Sequence, residues 1–299
     1  MVASDEGAPH RDAWQHAGGT IALTPPVVMA VLNVTPDSFH DGGALYRGGA
    51  IDVEAVRASA QSAVEAGARL LDVGGESTRP GADPVAPSDE KNRVLAAIEA
   101  IVELGVPISC DTRRASVADA AMRAGAVIIN DVSGLADPDM AAVVAEHGAG
   151  IAIGHLRGVP KTMQAGIAFS DLLADIGREL RVGVDAAVAA GVHLEQVVVD
   201  PGIGFGKSAQ QSAALVGASA AMRAATGCPV MIGASRKSFI GALCEGGTQT
   251  RLPGSLAAAV VAVQRGASIV RVHDVVETVQ ALTVAAAIEA AAAEQGGGA

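Results

Sequence analysis

Eight short apolar runs recur along this chain, and a polar residue or a polar loop follows each of them within a few residues. Segments with helical spacing separate the runs. Short β-branched runs that alternate with helices are typical of a parallel sheet, and eight such units predict an α/β fold, the closed (β/α)8 TIM barrel. Because the carboxyl ends of barrel strands meet at one mouth, the polar residues after the runs are expected to form one site. The runs are residues 27–32, 70–73, 106–109, 127–129, 151–153, 197–199, 230–232 and 269–272.

The length of the chain predicts a single domain with two short extensions. The chain has 299 residues, and a barrel of about 250 residues is ordinarily one domain. Residues 1–19 are polar and contain glycine, which predicts a flexible N-terminal tail. We expect residues 20–294 to form the barrel and residues 295–299, which are rich in glycine, to form a frayed end.

Seven segments combine helical spacing with good helix formers. Several of them are followed by a glycine where a helix C-cap belongs. Helices are predicted over residues 51–67, 88–104, 115–124, 138–146, 171–190, 209–225 and 274–294.

The overall charge restricts the class of partner. The chain has 21 basic and 32 acidic residues, a net charge of −11, which argues against nucleic acid or an anionic membrane as the main partner. An anionic substrate would therefore need a local cluster of arginine and lysine. Three cysteines without C-x-x-C spacing predict free thiols and a reducing cytoplasm. We expect no signal peptide, because residues 1–20 carry Asp5, Glu6 and Asp12 and no apolar stretch. We expect no membrane span, because the longest purely apolar runs, such as residues 256–263, are far shorter than about 20 residues.

Two long loops follow the first two strands and carry both charge and glycine or proline. They span residues 33–43 and 74–81. Loops of this composition over a barrel mouth are often lids that close on a substrate.

Two further loops suit a flat or anionic ligand. Residues 200–207 resemble a nucleotide-binding loop only superficially, because Pro201 and Lys207 stand where the phosphate-loop and dinucleotide patterns require glycine. Their glycines instead allow the backbone to approach a flat ligand closely. In residues 234–239, Ser235 is a plausible N-cap, so the backbone N–H groups that follow it predict an anion site.

The polar residues at the strand ends match a heterocycle. Asp111 and Asp200 offer carboxylate acceptors, Asn130 offers a donor and an acceptor, and Lys237 is a cationic donor. This set suits a ring with an amidine-like N–H and NH2 edge on one side and a carbonyl on the other, such as a pterin. His155 also follows a strand, and a supporting or structural role fits it better than catalysis.

The last strand adds a group suited to phosphate. Arg271 and His273 are two positions apart and so lie on the same face of the strand. Together with Asn33 they could bind phosphate or a metal–phosphate complex.

Six motifs, taken in order, resemble those of the dihydropteroate synthase family. The resemblance extends over residues 27–290, and six motifs in family order are far more specific than any one alone. They are residues 33–39, 74–81, 130–134, 200–207, 235–239 and 271–274.

The resemblance implies a reaction and its partners. The family condenses 6-hydroxymethyl-7,8-dihydropterin pyrophosphate with 4-aminobenzoate to give 7,8-dihydropteroate and pyrophosphate, with Mg2+. Sulfonamide drugs mimic the aminobenzoate. The resemblance also implies a cytoplasmic homodimer.

The resemblance assigns roles residue by residue. Asp37 and Phe39 belong to the mobile first loop and, with Lys237, Arg271 and His273, match the family's catalytic set. Asn33 is implied to lie near the metal. The positions implied to bind substrate are Asp111, Asn130, Asp200 and Lys237 for the pterin, Arg271 and His273 with Asn33 for the pyrophosphate, and Thr78, Arg79, Phe205 and Ser238 for aminobenzoate.

Two alternatives remain from the sequence. One is a non-catalytic paralogue that binds pterin, and the other is a methyltetrahydrofolate:corrinoid methyltransferase, which shares the pterin-binding barrel. Three positions depart from the usual family pattern: His40 where serine is more common, Cys110 where an aliphatic residue is usual, and Gly154 where methionine is common. Gly154 is expected to remove an apolar contact near the pterin.

Overall fold

A computed structural model describes residues 12–35, 45–47, 50–79, 81–244 and 250–296. Twelve strands occur in this described part of the chain, and eight of them form one sheet. In chain order the strands are β1 (Ala13–His16), β2 (Gly19–Ala22), β3 (Val27–Asn33), β4 (Tyr46–Arg47), β5 (Ala50–Ile51), β6 (Leu70–Gly74), β7 (Ile108–Asp111), β8 (Ile128–Asp131), β9 (Gly150–Gly154), β10 (Val197–Asp200), β11 (Met231–Ile232) and β12 (Ile269–Val272).

The large sheet is parallel throughout and closes into a barrel. Its strand order is β10-β9-β8-β7-β6-β3-β12-β11. The two outermost strands are joined by a parallel bridge between Val199 and Val230, supported by a hydrogen bond from the Val199 N–H to the Pro229 carbonyl (3.0 Å). The predicted (β/α)8 barrel is confirmed.

The strand ends differ slightly from the predicted runs. Asn33, Asp111 and Asp200 were expected just after their strands, yet each is the last residue of one. The hydrogen-bonded ladder continues for one or two residues beyond the predicted runs, which fixes the backbone of these polar residues. β7 begins at Ile108 rather than at Val106, because the intervening Pro107 has no N–H to donate.

Helices lie between the barrel strands. The predicted helix over residues 209–225 is in fact two helices separated at Gly217 and Ala218. The helix over residues 252–264 was not predicted, because it is apolar around most of its circumference and gives little periodic signal. The helices are α1 (Val53–Glu65), α2 (Pro87–Ile101), α3 (Ala115–Arg123), α4 (Met140–His147), α5 (Leu172–Ala189), α6 (Ala209–Val216), α7 (Ser219–Thr226), α8 (Ser238–Leu243), α9 (Leu252–Gln264) and α10 (Val275–Gly296), with 3-10 turns at Val102–Leu104 and Leu194–Gln196.

The amino end of the barrel is closed by the β1–β2 hairpin. Trp14 on β1 is fully buried and its Nε1 donates a hydrogen bond to the carbonyl of Gln196 (2.8 Å). Trp14 packs with Val27, Met29 and other residues that point into the barrel at this end. The prediction of a flexible tail through residue 19 is therefore wrong for residues 13–19. An isolated tryptophan in a polar segment gave no periodic signal.

The three cysteines are free thiols. Cys110 and Cys228 are buried, and Cys244 is exposed. Burial raises the pKa of the Cys110 thiol well above its usual value, and the nearby carboxylates of Glu90, Asp72 and Asp111 raise it further. Cys110 is therefore held as a neutral, apolar side chain of the core.

Among the described residues, one helix is long and apolar enough to cross a membrane by length and composition alone. It is α10, over Val275–Gln295, and few of its residues are buried. The sequence expectation counted only unbroken apolar runs and so did not identify it. Val275 and Thr278, in its first turn, are buried against the barrel.

We expect the closure of the amino end to contribute strongly to stability. Trp14→Ala removes a fully buried indole and should lower the free energy of unfolding by about 3–5 kcal/mol. Trp14→Phe keeps a ring but leaves the Gln196 carbonyl without its donor, and should cost about 1 kcal/mol. Urea unfolding followed by circular dichroism measures both. Val182→Ala, at a position 65% exposed on α5, is the control; a loss as small as in this control would contradict the assignment.

Candidate active site

A cavity of about 850 Å³ opens at the carboxyl end of the barrel. The loops after β3, β6, β10, β11 and β12 contribute to its wall. Asp37 and Phe39, predicted in the first loop, lie outside the described residues. Asn130 and Asp200 are almost fully buried at the strand ends behind the lining. The predicted residues that line the cavity are Asn33, Thr78, Arg79, Asp111, Phe205, Lys237, Ser238, Arg271 and His273.

A buried cluster of charged residues forms the floor of the cavity. The Arg271 guanidinium donates from Nε to Asp72 Oδ2 (2.5 Å) and from Nη2 to Asp111 Oδ2 (2.6 Å). Asn130 also donates from Nδ2 to Asp72 Oδ2 (3.1 Å). Asp72 was not identified from the sequence, although a carboxylate inside a buried strand is unusual enough to have been a signal.

The charges of this cluster perturb one another. Burial would lower the pKa of Arg271, but Asp72 and Asp111 outweigh it and raise that pKa. Burial, opposed by Arg271, raises the pKa of Asp111 to about 7, and the neighbouring carboxylate of Asp72 contributes. One guanidinium therefore pairs with two carboxylates. The excess of negative charge in the floor favours a ligand that has hydrogen-bond donors.

Three acceptor atoms in the floor have no hydrogen-bond partner within the part of the chain that the structure describes. They are Asp72 Oδ1, Asp111 Oδ1 and Asn130 Oδ1, and all three are buried. Buried acceptors without a donor cost free energy, so native proteins seldom retain them without a reason. Their grouping indicates a place for the N–H groups of a ligand.

Asp200 and Lys237 lie together on another side of the floor. A Cβ atom placed on Gly233 would lie 3.8 Å from both Asp200 Oδ2 and Lys237 Nζ, so both side chains lie beside this glycine. Burial lowers the pKa of Lys237 to about 8, against the opposing charge of Asp200. The Lys237 ammonium donates to the Ile203 carbonyl and lies 4.4 Å from the centre of the Phe205 ring. A cationic donor, a carboxylate and an aromatic face thus meet here.

The loop that carries Lys237 is held to the loop after β12. Ser235 Oγ accepts a hydrogen bond from the His273 N–H (3.2 Å) and lies 3.1 Å from His273 Nδ1. Arg236 has a positive φ of 58° and pairs with Asp274 (Nε–Oδ2, 2.9 Å). The prediction of Ser235 as a helix N-cap is wrong: this turn delays the helix, and α8 begins at Ser238 with Lys237 as its N-cap.

The second loop is fixed at its start by a salt-bridge network. Glu76 accepts from Arg113 (2.6 Å) and from Arg114 (2.9 Å), and Arg114 also pairs with Glu90. Burial would raise the pKa of Glu76, but these arginines and a backbone N–H lower it. Thr78, two residues further on, lines the cavity. The sequence analysis did not identify the network because its bonded partners are 24 to 38 residues apart.

The described residues offer few ligands to a metal. No group of three or more His, Cys, Asp or Glu residues that could hold an ion occurs among them. Asn33 lines the cavity, and its Oδ1 lies 3.4 Å from where a Cβ of Gly74 would be. Mg2+ commonly keeps several waters and takes its other ligands from substrate phosphates with one or two protein oxygens. The side-chain set therefore fits a metal that arrives with a phosphate substrate.

His155 belongs to a second buried cluster beside the site. Lys207 Nζ donates to His155 Nδ1 (2.8 Å), to the His155 carbonyl (3.0 Å) and to the Phe205 carbonyl (2.9 Å). His155 Nε2 contacts Glu179 Oε2 (2.9 Å). Lys207 was not identified as a site residue from the sequence. Its two bonds to His155 tie the loop after β10 to the residue that follows β9, and its bond to Phe205 lies within the loop.

Two glycines make close backbone packing possible at this end of the barrel. A Cβ on Gly202, which has φ +72°, would lie 2.0 Å from the His155 carbonyl oxygen. A Cβ on Gly154 would lie 2.7 Å from Val132 Cα, against backbone, and Gly154 does not line the cavity. In this chain, Gly154 therefore allows the backbone of β9 to pack closely against the loop after β8.

Known proteins resemble this chain over almost its whole length. The family model described as "Pterin binding enzyme" matches residues 29–273. A dihydropteroate synthase of Neisseria meningitidis serogroup B is 41% identical over 92% of this chain and 96% of its own length. A dihydropteroate synthase of Escherichia coli K12 is 42% identical over 89% and 93%, respectively. The chain spans only 30% of a probable bifunctional folylpolyglutamate synthase/dihydropteroate synthase of Haloferax volcanii, with 44% identity.

Solved structures agree with the sequence relatives. The Yersinia pestis dihydropteroate synthase with a sulfonamide drug complex has a TM-score of 0.86 and 38% identity, and covers 93% of this chain and 99% of that one. The Burkholderia cenocepacia dihydropteroate synthase complexed with 7,8-dihydropteroate has a TM-score of 0.82 and 39% identity, with coverages of 94% and 98%.

The buried His155 should make stability depend on pH. Burial and the Lys207 charge lower the pKa of His155 from 6.5 to about 4. Between these values the unfolded chain binds a proton that the folded protein does not bind, so the free energy of unfolding should fall as pH drops from 6.5 to 4. The loss should reach about 3 kcal/mol. His155→Asn should flatten this part of the stability curve, whereas His193→Asn, at an exposed position, should not. Equal slopes in both variants would refute the assignment.

Proposed function

We propose that this chain, which belongs to the family of pterin-binding enzymes, acts as a dihydropteroate synthase in folate biosynthesis. It is a transferase of an alkyl group other than methyl. It joins 6-hydroxymethyl-7,8-dihydropterin pyrophosphate to 4-aminobenzoate and releases pyrophosphate. Relatives with the same fold are described in complex with 4-aminobenzoate, 7,8-dihydropteroate and sulfonamide drugs, and these ligands are the substrate, product and inhibitor classes that we assign to this site.

The observation that supports the pterin assignment most strongly is the group of unpartnered acceptors. Asp111 Oδ1 and Asn130 Oδ1 are buried acceptors, and Asp200 lies on another side of the floor beside Lys237. The pterin ring carries an amino group and a ring N–H next to a carbonyl. Its donors suit the carboxylates and the amide oxygen, and its carbonyl suits the Lys237 ammonium.

The reaction needs charge stabilisation more than proton transfer. The bond from the pterin methylene carbon to the pyrophosphate oxygen breaks first. The amine nitrogen of aminobenzoate then forms a bond to that carbon and loses a proton. The electron-rich ring shares the positive charge that develops on the methylene. Arg271 and His273 line the cavity where the leaving pyrophosphate would gain charge. An aryl amine is neutral at pH 7, so no strong general base is required.

The aminobenzoate half of the site is assigned to the outer wall of the cavity. Thr78, Arg79, Phe205 and Ser238 all line it. Arg79 supplies a cation for the carboxylate of aminobenzoate, and the Phe205 ring supplies an apolar face. We propose that Asp37 and Phe39 in the first loop complete the site and keep water from the methylene cation.

We propose that Mg2+ enters with the pyrophosphate and is coordinated partly by Asn33. Asn33 lines the cavity, and Mg2+ takes oxygen ligands such as an amide carbonyl together with substrate phosphates. The ion would supply positive charge at the leaving group. The residues around it would bind and orient the phosphates.

Turnover by the purified chain tests the proposal. With both substrates and Mg2+, dihydropteroate should appear by chromatography, and it should be absent when either substrate is omitted. Asp200→Asn should weaken binding of the pterin substrate about tenfold or more, because a charged acceptor is lost. Asp185→Asn, on the exposed side of α5, is the control. Tight pterin binding without product would favour a non-catalytic paralogue, and methyl transfer to a corrinoid partner would favour the methyltransferase.

We also propose that the chain forms a homodimer through α9 and α10 in the cytoplasm. Val261 on α9 and Val276, Val284 and Ile288 on α10 are exposed. Residues 278–288 contain no charged side chain, and α10 is about 33 Å long. Gln264 donates to Glu289 (3.0 Å), which joins the ends of the two helices. A second copy of the chain would cover this apolar face. The three free thiols support a reducing compartment.

Light scattering tests the dimer. The wild-type protein should have twice the chain mass of 29.6 kDa, and the variant Val284→Glu with Ile288→Glu should have the mass of one copy. Val182→Glu, at an exposed position on α5, should remain dimeric. A monomeric wild-type protein, or one that binds lipid vesicles through α10 without self-association, would contradict the proposal.

A further inference from the structure

The Asp72 carboxylate connects strands that are not neighbours in the barrel. It lies on β6, is fully buried, and its Oδ2 contacts both Arg271 on β12 and Asn130 on β8. In the sheet, β3 separates β6 from β12, and β7 separates β6 from β8. Asp72 therefore contacts two residues that we assign to substrate binding, and these two residues lie on opposite sides of β6.

We propose that Asp72 is a positioning residue, which holds Arg271 at its Nε and orients the Asn130 amide. When the pterin binds at Asp111, the terminal nitrogens of Arg271 are then released to bind the pyrophosphate. This inference rests on the proposed function. It explains how binding of the pterin ring would favour binding of the pyrophosphate group of the same substrate.

The orientation of Asn130 follows from its bond to Asp72. A carboxylate accepts only, so the nitrogen of the amide must face it and the oxygen must face away. Asn130 Oδ1 is the atom without a partner among the described residues. Asp72 thereby presents an acceptor, rather than a donor, to the ligand.

The release of Arg271 follows from its two different contacts. Nε is bound to Asp72, which lies below the assigned substrate residues, whereas Nη2 is bound to Asp111, which is itself assigned to the pterin. When donors of the pterin occupy the Asp111 carboxylate, the attraction that holds Nη2 weakens. The bond at Nε can persist, and the terminal nitrogens become available to an anion at the cavity.

The proposal predicts a specific effect of Asp72→Asn. Without the charge of Asp72, the Arg271 guanidinium should remain paired with Asp111. It should then contribute less to the affinity for the pyrophosphate group. We define the pyrophosphate ratio as the Kd of 6-hydroxymethyl-7,8-dihydropterin divided by the Kd of its pyrophosphate. Calorimetry should give a ratio at least about tenfold smaller for the variant than for the wild-type protein.

Two controls separate positioning from loss of folding. Asp131→Asn alters another fully buried carboxylate, which accepts from Ser133 and Leu135 rather than from the substrate residues. It should lower thermal stability without changing the pyrophosphate ratio. In the Arg271→Lys background, which lacks the Nε contact, Asp72→Asn should change the ratio little further.

A measurement on the wild-type protein does not depend on the Asp72→Asn variant. The Arg271 Nε proton, assigned in NMR spectra by its loss in Arg271→Lys, should exchange slowly with water both before and after the pterin pyrophosphate binds. Rapid exchange in the complex would overturn the anchoring role. An unchanged pyrophosphate ratio in a folded Asp72→Asn protein would do the same. If the wild-type protein bound neither pterin compound, the proposed function itself would fail, and this inference with it.

Discussion

The arrangement at the active end of this barrel depends on one guanidinium shared between two buried carboxylates. Arg271 lies between Asp72 and Asp111, and all three side chains come from strands rather than loops. Removing the arginine or one of the aspartates would leave a buried charge without its full pairing, which typically costs several kcal/mol. The cluster therefore holds the strand ends in a fixed relation and, with one cation for two acids, retains acceptors for a ligand.

The two ends of the barrel have different roles, because the amino end stabilises the fold and the carboxyl end forms the site. The amino end is apolar and is closed by Trp14 and the β1–β2 hairpin, whereas the carboxyl end holds the charged floor and the loops. The loops are themselves held in place by charged networks, with Glu76 at the second loop and Lys207 at the loop after β10. This division lets a rigid sheet carry a site with several unsatisfied buried atoms.

The sequence predicted the barrel well because parallel strands buried on both faces produce apolar runs that need no partner to be recognised. It also predicted which strand-end residues gather, since the fold brings those ends to one mouth. It did not predict Asp72, the Glu76 network or Lys207, because their partners are distant in sequence. Trp14 and the break at Gly217 were missed for a different reason: neither a single buried aromatic residue nor a short interruption has a period.

The most direct test of this account is a crystal structure with the dihydropterin pyrophosphate bound. The account predicts the amino and N–H edges of the pterin on Asp111, Asn130 and Asp200. It also predicts Arg271 Nε still on Asp72, with the terminal nitrogens turned from Asp111 to the phosphates. A pterin bound elsewhere in the cavity, with Arg271 still bridging both carboxylates, would contradict it.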